Sequence, residues 1–353
     1  MPGGVLARAL NTLPAFTMNT CLNLTSPRAV RRALSTLALA ALAACGGGGD
    51  TPATTQPVSI EFAAVNGLAN TPVSCATVLT GMGSGSVKAK LADLRFYVSD
   101  VKLVNAAGQE VAVTLTANEW QLTQAGHGLT LIDLENDADT CAGDAATNVR
   151  VTGTAPAGTY TGVRFTLGVP SALNHLDATA ATTLAPLTNN DMFWSWTGGY
   201  KHAKIELNPE NATTPDVYTG GMTNTSVTPS TSSNTFNFHL GDTSCTAGVP
   251  LSSSTCLSEN TSTITLATFN AGTQKVALDL GALFARSNLR VESGGAPGCM
   301  SGPTDPQCQE MWSVLDKSFS LVGGVITATS LSADDAGLTA LRRGTTVFRP
   351  IAK

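Results

Sequence analysis

Val163-Arg-Phe-Thr-Leu-Gly-Val169 sets an apolar side chain at every second position. Successive side chains of an extended chain point to opposite faces, so this alternation reads as a β-strand with one buried face. The same pattern recurs at Ile60 and Phe62, at Leu94, Phe96 and Val98, and at Ile205 and Leu207. It returns at Phe236, Phe238 and Leu240, and at Val276, Leu278 and Leu280. Each run is short and bounded by Gly, Asn, Pro or Thr clusters, which is the chemistry of strands and turns. Helical patterning is confined to 281–288 and 334–342. Many short strands with few helices predict an all-β fold, an antiparallel β-sandwich with long loops. Aromatics make up only 5% of the chain, so the core must rest mainly on Val, Leu, Ile, Ala and Phe. Two segments stand outside this pattern. Residues 211–234 are rich in Thr, Ser and Asn, and 293–308 in Gly and Pro; both read as loop excursions.

Before the strands lies a different kind of sequence. Arg28, Arg31 and Arg32 precede the apolar run Ala33-Leu-Ser-Thr-Leu-Ala-Leu-Ala-Ala-Leu-Ala-Ala44, which ends at Cys45. A basic region, an apolar stretch too short to span a bilayer, and small residues before a cysteine form an export signal of the lipoprotein type. The expected organisation is a signal segment over 1–44, lipidation of Cys45, a flexible tether over 45–57, and one folded domain over 58–353. The predicted location is the periplasmic face of a membrane. Gly46 rather than an aspartate follows the cysteine, which favours the outer membrane.

Of eight cysteines, Cys21 leaves with the signal and Cys45 carries lipid. The remaining Cys75, Cys141, Cys245, Cys256, Cys299 and Cys308 are an even set in an oxidising compartment and predict three disulfides. Cys245 with Cys256 and Cys299 with Cys308 are close enough in sequence to staple loops, which would leave Cys75 for Cys141. This is one preference among the roughly fifteen connectivities that six cysteines allow. A thiolate metal site is disfavoured, because no Cys-x-x-Cys pair occurs. Loss of the four leader arginines leaves 16 of the 20 basic residues against 25 acidic ones, a net charge of −9. An acidic chain without a basic cluster argues against nucleic acid as a partner.

Motifs for nucleotide, haem, zincin or α/β-hydrolase chemistry are absent from the sequence, so it does not read as an enzyme. The four histidines carry more information. His127 lies in a turn. His175 follows a strand and Pro170. His202 shares a strand face with Lys204 and Glu206, and His239 faces away from Phe236, Phe238 and Leu240. Imidazoles from different strands can converge at a sheet end on copper or zinc. Between these histidines Met192, Phe193, Trp194, Trp196 and Tyr200 crowd together in a chain otherwise poor in aromatics. They fit either a buried strand edge or the surroundings of a soft metal.

Six segments, in this order, resemble a known family: Leu94-Arg-Phe-Tyr-Val-Ser-Asp-Val101, Leu131-Ile-Asp-Leu-Glu-Asn136 with Cys141 behind it, Phe165-Thr-Leu-Gly-Val-Pro-Ser-Ala-Leu-Asn-His175, Met192-Phe-Trp-Ser-Trp-Thr-Gly-Gly-Tyr-Lys201, Phe238-His-Leu-Gly-Asp-Thr-Ser-Cys245 and Leu278-Asp-Leu-Gly-Ala-Leu-Phe284. Together they are similar to the methanobactin-associated periplasmic copper-binding family, MbnP-like, the four-cysteine member of the metallo-mystery pair. The resemblance implies a periplasmic copper-binding protein with His175 and His239 as leading ligands, and thioether and imidazole donors without a free thiolate suit Cu(I). It also implies a dihaem partner of the MauG/cytochrome c peroxidase type. That partner would oxidise Trp194 or Trp196 to kynurenine, Trp194 being the first choice. The role implied is copper acquisition or handover.

The sequence departs from the family at two places. His202 stands where an apolar aromatic is expected after Tyr200 and Lys201, which makes it a candidate third ligand. Six cysteines rather than four suggest that Cys299 and Cys308 close an additional loop. The alternating Asp133, Glu135, Asp137 and Asp139 suggest a calcium loop, but Ala138 replaces the turn glycine and Cys141 interrupts it, so an acidic turn is the simpler reading. A competing function is a β-sandwich lipoprotein without metal that binds glycan or protein on an aromatic strip of Trp194, Trp196 and Tyr200.

Overall fold

The computed structural model describes residues 54–195, 198–225, 230–248, 251–292, 294–302, 304–315, 317–322, 325–330 and 347–353. The leader, Cys45 and most of the tether lie outside the described residues, as do Trp196 and the expected helix at 334–342. No described helix is long and apolar enough to cross a membrane.

Two sheets face each other. The smaller is built on the strand Thr55–Asn66, which pairs antiparallel with Arg150–Pro156 and parallel with Gln274–Asp279; Phe348–Ala352 closes one edge. The larger is centred on the eighteen-residue strand Val87–Val104, flanked by Gly162–Leu167 and Gly199–Pro209. Phe236–Gly241 then pairs antiparallel with Gly199–Pro209. The fold is therefore the expected mostly antiparallel β-architecture with long loops and few short helices. Alternation decides which side chains meet between the sheets. Ile60, Phe62, Leu94, Phe96, Phe165, Ile205, Phe238, Val276 and Phe348 are buried there. Phe62 meets Phe96 and Phe165 edge-on at 5.9 and 5.6 Å, the preferred arrangement for aromatic quadrupoles.

The larger sheet buries its outer face as well. The connection after Gly162–Leu167 folds back so that Val169, Leu173, Leu187 and Met192 cover Tyr97, Leu129, Leu131 and Tyr200. The central strand consequently carries apolar residues on one face and Asp93, Arg95, Tyr97 and Ser99, all buried, on the other.

The excursions are more ordered than composition suggests. Within 211–234, Met222–Asn224 pairs with Thr231–Ser233 and, in parallel, with Val291–Glu292. Within 293–308, Gly298–Cys299 adds to the large sheet beside Phe236–Gly241. The expected helix at 281–288 is reduced to Leu280–Leu283, capped by Asp279, and a nine-residue helix Pro306–Val314 was not anticipated. Its signal was Asp305-Pro306: Asp305 accepts from Gln307 N as N-cap, and the proline sits in the first turn, where its missing N–H costs nothing. The disulfides are Cys75–Cys141, Cys245–Cys256 and Cys299–Cys308, the favoured pairing.

Candidate metal centre

Register sets a polar row across the outer face of the larger sheet. Lys204 lies opposite Arg95 on one side and His239 on the other, and Glu206 lies opposite Asp93 and Asn237. His239 is 6% exposed, and its Nε2 stands 2.7 Å from Glu206 Oε1. Burial pushes the Glu206 carboxyl up, but the hydrogen bond from His239 and the charge of Lys204 more than offset this, so it sits below its usual range. An ionised carboxylate only accepts, so Nε2 carries the ring proton and the lone pair falls on Nδ1. Burial lowers the pKa of His239, only partly opposed by Glu206, which keeps the ring neutral. That Nδ1 is buried and has no hydrogen-bond partner.

His175 is held by a different part of the chain. It follows the short helix Ser171–Asn174, and Asn174 ties that helix to the strand Gly199–Pro209 and to Asp242 just beyond Phe236–Gly241: its Oδ1 accepts from Tyr200 N at 2.8 Å and its Nδ2 donates to Asp242 Oδ2 at 2.7 Å. His175 is 4% exposed, with Nε2 3.3 Å from Cys256 Sγ. A disulfide sulfur has no proton to give, so the ring's N–H faces it and the lone pair again falls on Nδ1. This Nδ1 too is buried without a partner. Among the described residues these are the only histidine nitrogens stranded in this way. A buried polar atom left unpaired costs roughly 1–3 kcal/mol, so each of these two nitrogens is a candidate ligand atom.

His202 is different. Its Nδ1 accepts from Val169 N at 3.1 Å, and its Nε2 faces Asp242 Oδ1 at 2.7 Å. Both nitrogens are engaged and no lone pair remains, so His202 is a structural residue here rather than a third ligand. Asp242 is the hub: it also accepts from Asn260 N at 3.0 Å, and these partners hold its carboxyl below the usual range despite burial. Composition and alternation do not single out Asp242, because its partners His202, Asn174 and Asn260 are remote from it in the chain.

Trp194 packs beside His239 with ring centroids 6.1 Å apart. Its indole lies directly over Gly241, where a Cβ would come within 2.6 Å of Cζ3. Gly241→Ala is expected to push the indole aside and cost about 1–3 kcal/mol, the range for overpacking. Urea unfolding together with the fluorescence of Trp194, isolated by difference against Trp194→Phe, checks this. Tyr200, by contrast, is fully buried, its hydroxyl donating to Leu187 O at 2.6 Å, so no exposed strip runs from Trp194 to Tyr200.

The acidic run closes into a turn. Glu135 accepts from Asp137 N and Asp144 N at 2.8 and 3.0 Å, and Asp139 pairs with Lys90, so these carboxylates are already used. Asp133 is buried beside them, and burial, with the charge of Glu135, pushes its carboxyl up to about 8 despite Arg95. Because the folded state keeps this proton and the unfolded chain loses it near pH 4, the contribution is intact below that pH. It is lost as pH rises toward about 8, at up to about 1.4 kcal/mol per pH unit. Asp133→Asn, neutral at every pH, is expected to flatten the fall in thermal stability between pH 5 and 8.

A family model described as MbnP matches residues 55–301. The solved structure of MbnP from Methylosinus trichosporium is similar over 85% of this chain and 99% of that one, with 28% identity and a TM-score of 0.66. No curated protein matches.

Proposed function

The chain belongs to the MbnP family, whose members are periplasmic copper-binding proteins and not enzymes, and from that premise we propose that it holds copper as Cu(I) between His175 and His239. The observation that carries this reading is the pair of buried Nδ1 atoms without hydrogen-bond partners, one on each ring. The donor chemistry fits. Neutral imidazoles suit a soft monovalent ion, and all six described cysteines are in disulfides, so no thiolate competes. Glu206 fixes the tautomer of His239 and strengthens it as a donor, as a carboxylate behind a metal-bound histidine does. Asn174 and Asp242 orient the turn that carries His175. Bound copper would be a cargo, a cation held by two imidazoles for acquisition or handover.

A dihaem partner of the MauG/cytochrome c peroxidase type would oxidise a tryptophan of this protein to kynurenine. Trp194 is the favoured target, since its ring stands beside His239. The protein would be tethered by lipid on Cys45 to the periplasmic face of the outer membrane. The surface-module alternative loses support because Tyr200 is buried.

Equilibrium dialysis against a Cu(I) chelator tests the copper reading, with one ion per oxidised chain expected and none overturning it. Peptide mass spectrometry after co-expression with a dihaem protein of the MauG/cytochrome c peroxidase type tests the modification. Kynurenine in the peptide containing Trp194 supports it, and unmodified indoles with copper bound would remove the modification and keep the metal.

A further inference from the structure

The contact between His175 and the Cys245–Cys256 disulfide has chemistry of its own. Cys245 and Cys256 lie directly opposite each other in the antiparallel pair Thr243–Thr246 and Thr255–Ser258. A ring nitrogen of His175, Cys245 Sγ and Cys256 Sγ all lie within 4.8 Å of one another, and Nε2 is 3.3 Å from Cys256 Sγ. We propose that reduction of this disulfide creates a second metal site, in which Cys245, Cys256 and His175 bind a thiophilic cation of the Cu(I), Zn(II) or Cd(II) class.

The geometry is nearly in place. Around a tetrahedral ion with bonds of about 2.0–2.3 Å, neighbouring donor atoms sit roughly 3.3–3.8 Å apart. The imidazole already stands at that distance from one sulfur. Only the two sulfurs must separate, which side-chain rotation allows for residues facing each other across a strand pair. Accessibility singles out this bridge. Cys75, Cys141, Cys299 and Cys308 are buried, whereas Cys245 and Cys256 are both partly exposed. A thiol attacks a disulfide only where it can reach a sulfur, so a dithiol reductant will meet this bridge first. The reductant supplies two electrons and two protons and becomes a disulfide itself, while Cys245 and Cys256 become thiols. A divalent ion then displaces the two thiol protons, and the ring proton of His175 moves to Nδ1 so that Nε2 can donate. The partial exposure leaves a fourth position open to water or to an acceptor.

This site stands without the copper reading. Where both hold, a neutral imidazole serves one metal at a time, so reduction would withdraw His175 from the pair it makes with His239.

The test uses the full chain treated with a phosphine reductant until alkylation mapping finds Cys245 and Cys256, and titrated with Cd(II) without oxygen. One ion per reduced chain is expected, with thiolate-to-metal charge-transfer absorption that is absent from the oxidised chain and from Cys245→Ser/Cys256→Ser. His175→Gln should bind at least about tenfold more weakly, and His239→Ala should bind unchanged. Prior reduction of the buried bridges, a reduced chain that binds no Cd(II), or equal binding by His175→Gln would overturn the proposal. Failure of the oxidised chain to take up Cu(I) would instead count against the copper reading alone.

Discussion

Replacing both His175 and His239 by alanine is expected to lower Cu(I) affinity by more than about a thousandfold while leaving the fold intact. Partners that merely orient a metal-bound histidine are typically worth about 10–100-fold in affinity, and ligands are worth more. Each alanine also removes a buried nitrogen that has no partner, so part of the ring's burial cost disappears with it. The fold should therefore tolerate the change far better than an ordinary loss of two buried side chains. Glu206→Ala should lie between wild type and the double variant, weakening copper by about 10–100-fold through loss of the His239 tautomer. His202→Ala separates a structural from a ligating role. It strands the Val169 N–H and an Asp242 oxygen, so it should destabilise the chain while sparing the affinity of the fraction that folds. Competition titration against a Cu(I) chelator, with urea unfolding of each variant, checks the set.

Arg95→Met is expected to destabilise the protein by about 3–5 kcal/mol, the usual cost of removing one member of a buried ion pair. Arg95 is completely buried and forks onto Asp93, with Asp191 at 3.3 Å beyond. Lys204 reaches the same Asp93 carboxylate at 2.6 Å. Methionine fills much of the space but leaves Asp93 with Lys204 as its one remaining cation among these partners. Since domains are stable by roughly 5–15 kcal/mol, this loss is a large share. Adding Asp93→Leu should recover part of it, because the uncompensated charge then goes as well. A double-mutant cycle in urea measures the coupling, and strict additivity would show that the pair is not what holds the sheet face together.

The strand alternation legible in the sequence placed the inner face of the sandwich. Phe62, Phe96, Phe165, Ile205 and Phe238 all point where period two sends them. The same alternation hid the outer face. Alternation puts Asp93, Arg95, Lys204 and Glu206 away from the inner core but does not show that the connection through Leu173, Leu187 and Met192 buries much of that side, where the charges satisfy one another. The nearby disulfides followed from spacing, because Cys245 with Cys256 and Cys299 with Cys308 need only short loops to meet. The face of His239 was also legible. What separates His202 from His239 was not. One ring finds Val169 N and Asp242, the other only Glu206, and that difference arises from contacts between residues more than thirty positions apart. Resemblance had marked His175 and His239; their unpartnered nitrogens exist only in the fold.

X-ray absorption at the copper edge of the oxidised, Cu(I)-loaded chain tests the central claim most directly. Two imidazole nitrogens with their outer-ring scattering, one of them lost in His175→Ala and the other in His239→Ala, is the predicted result. A sulfur shell in the oxidised protein, or a spectrum unchanged by either substitution, would contradict it.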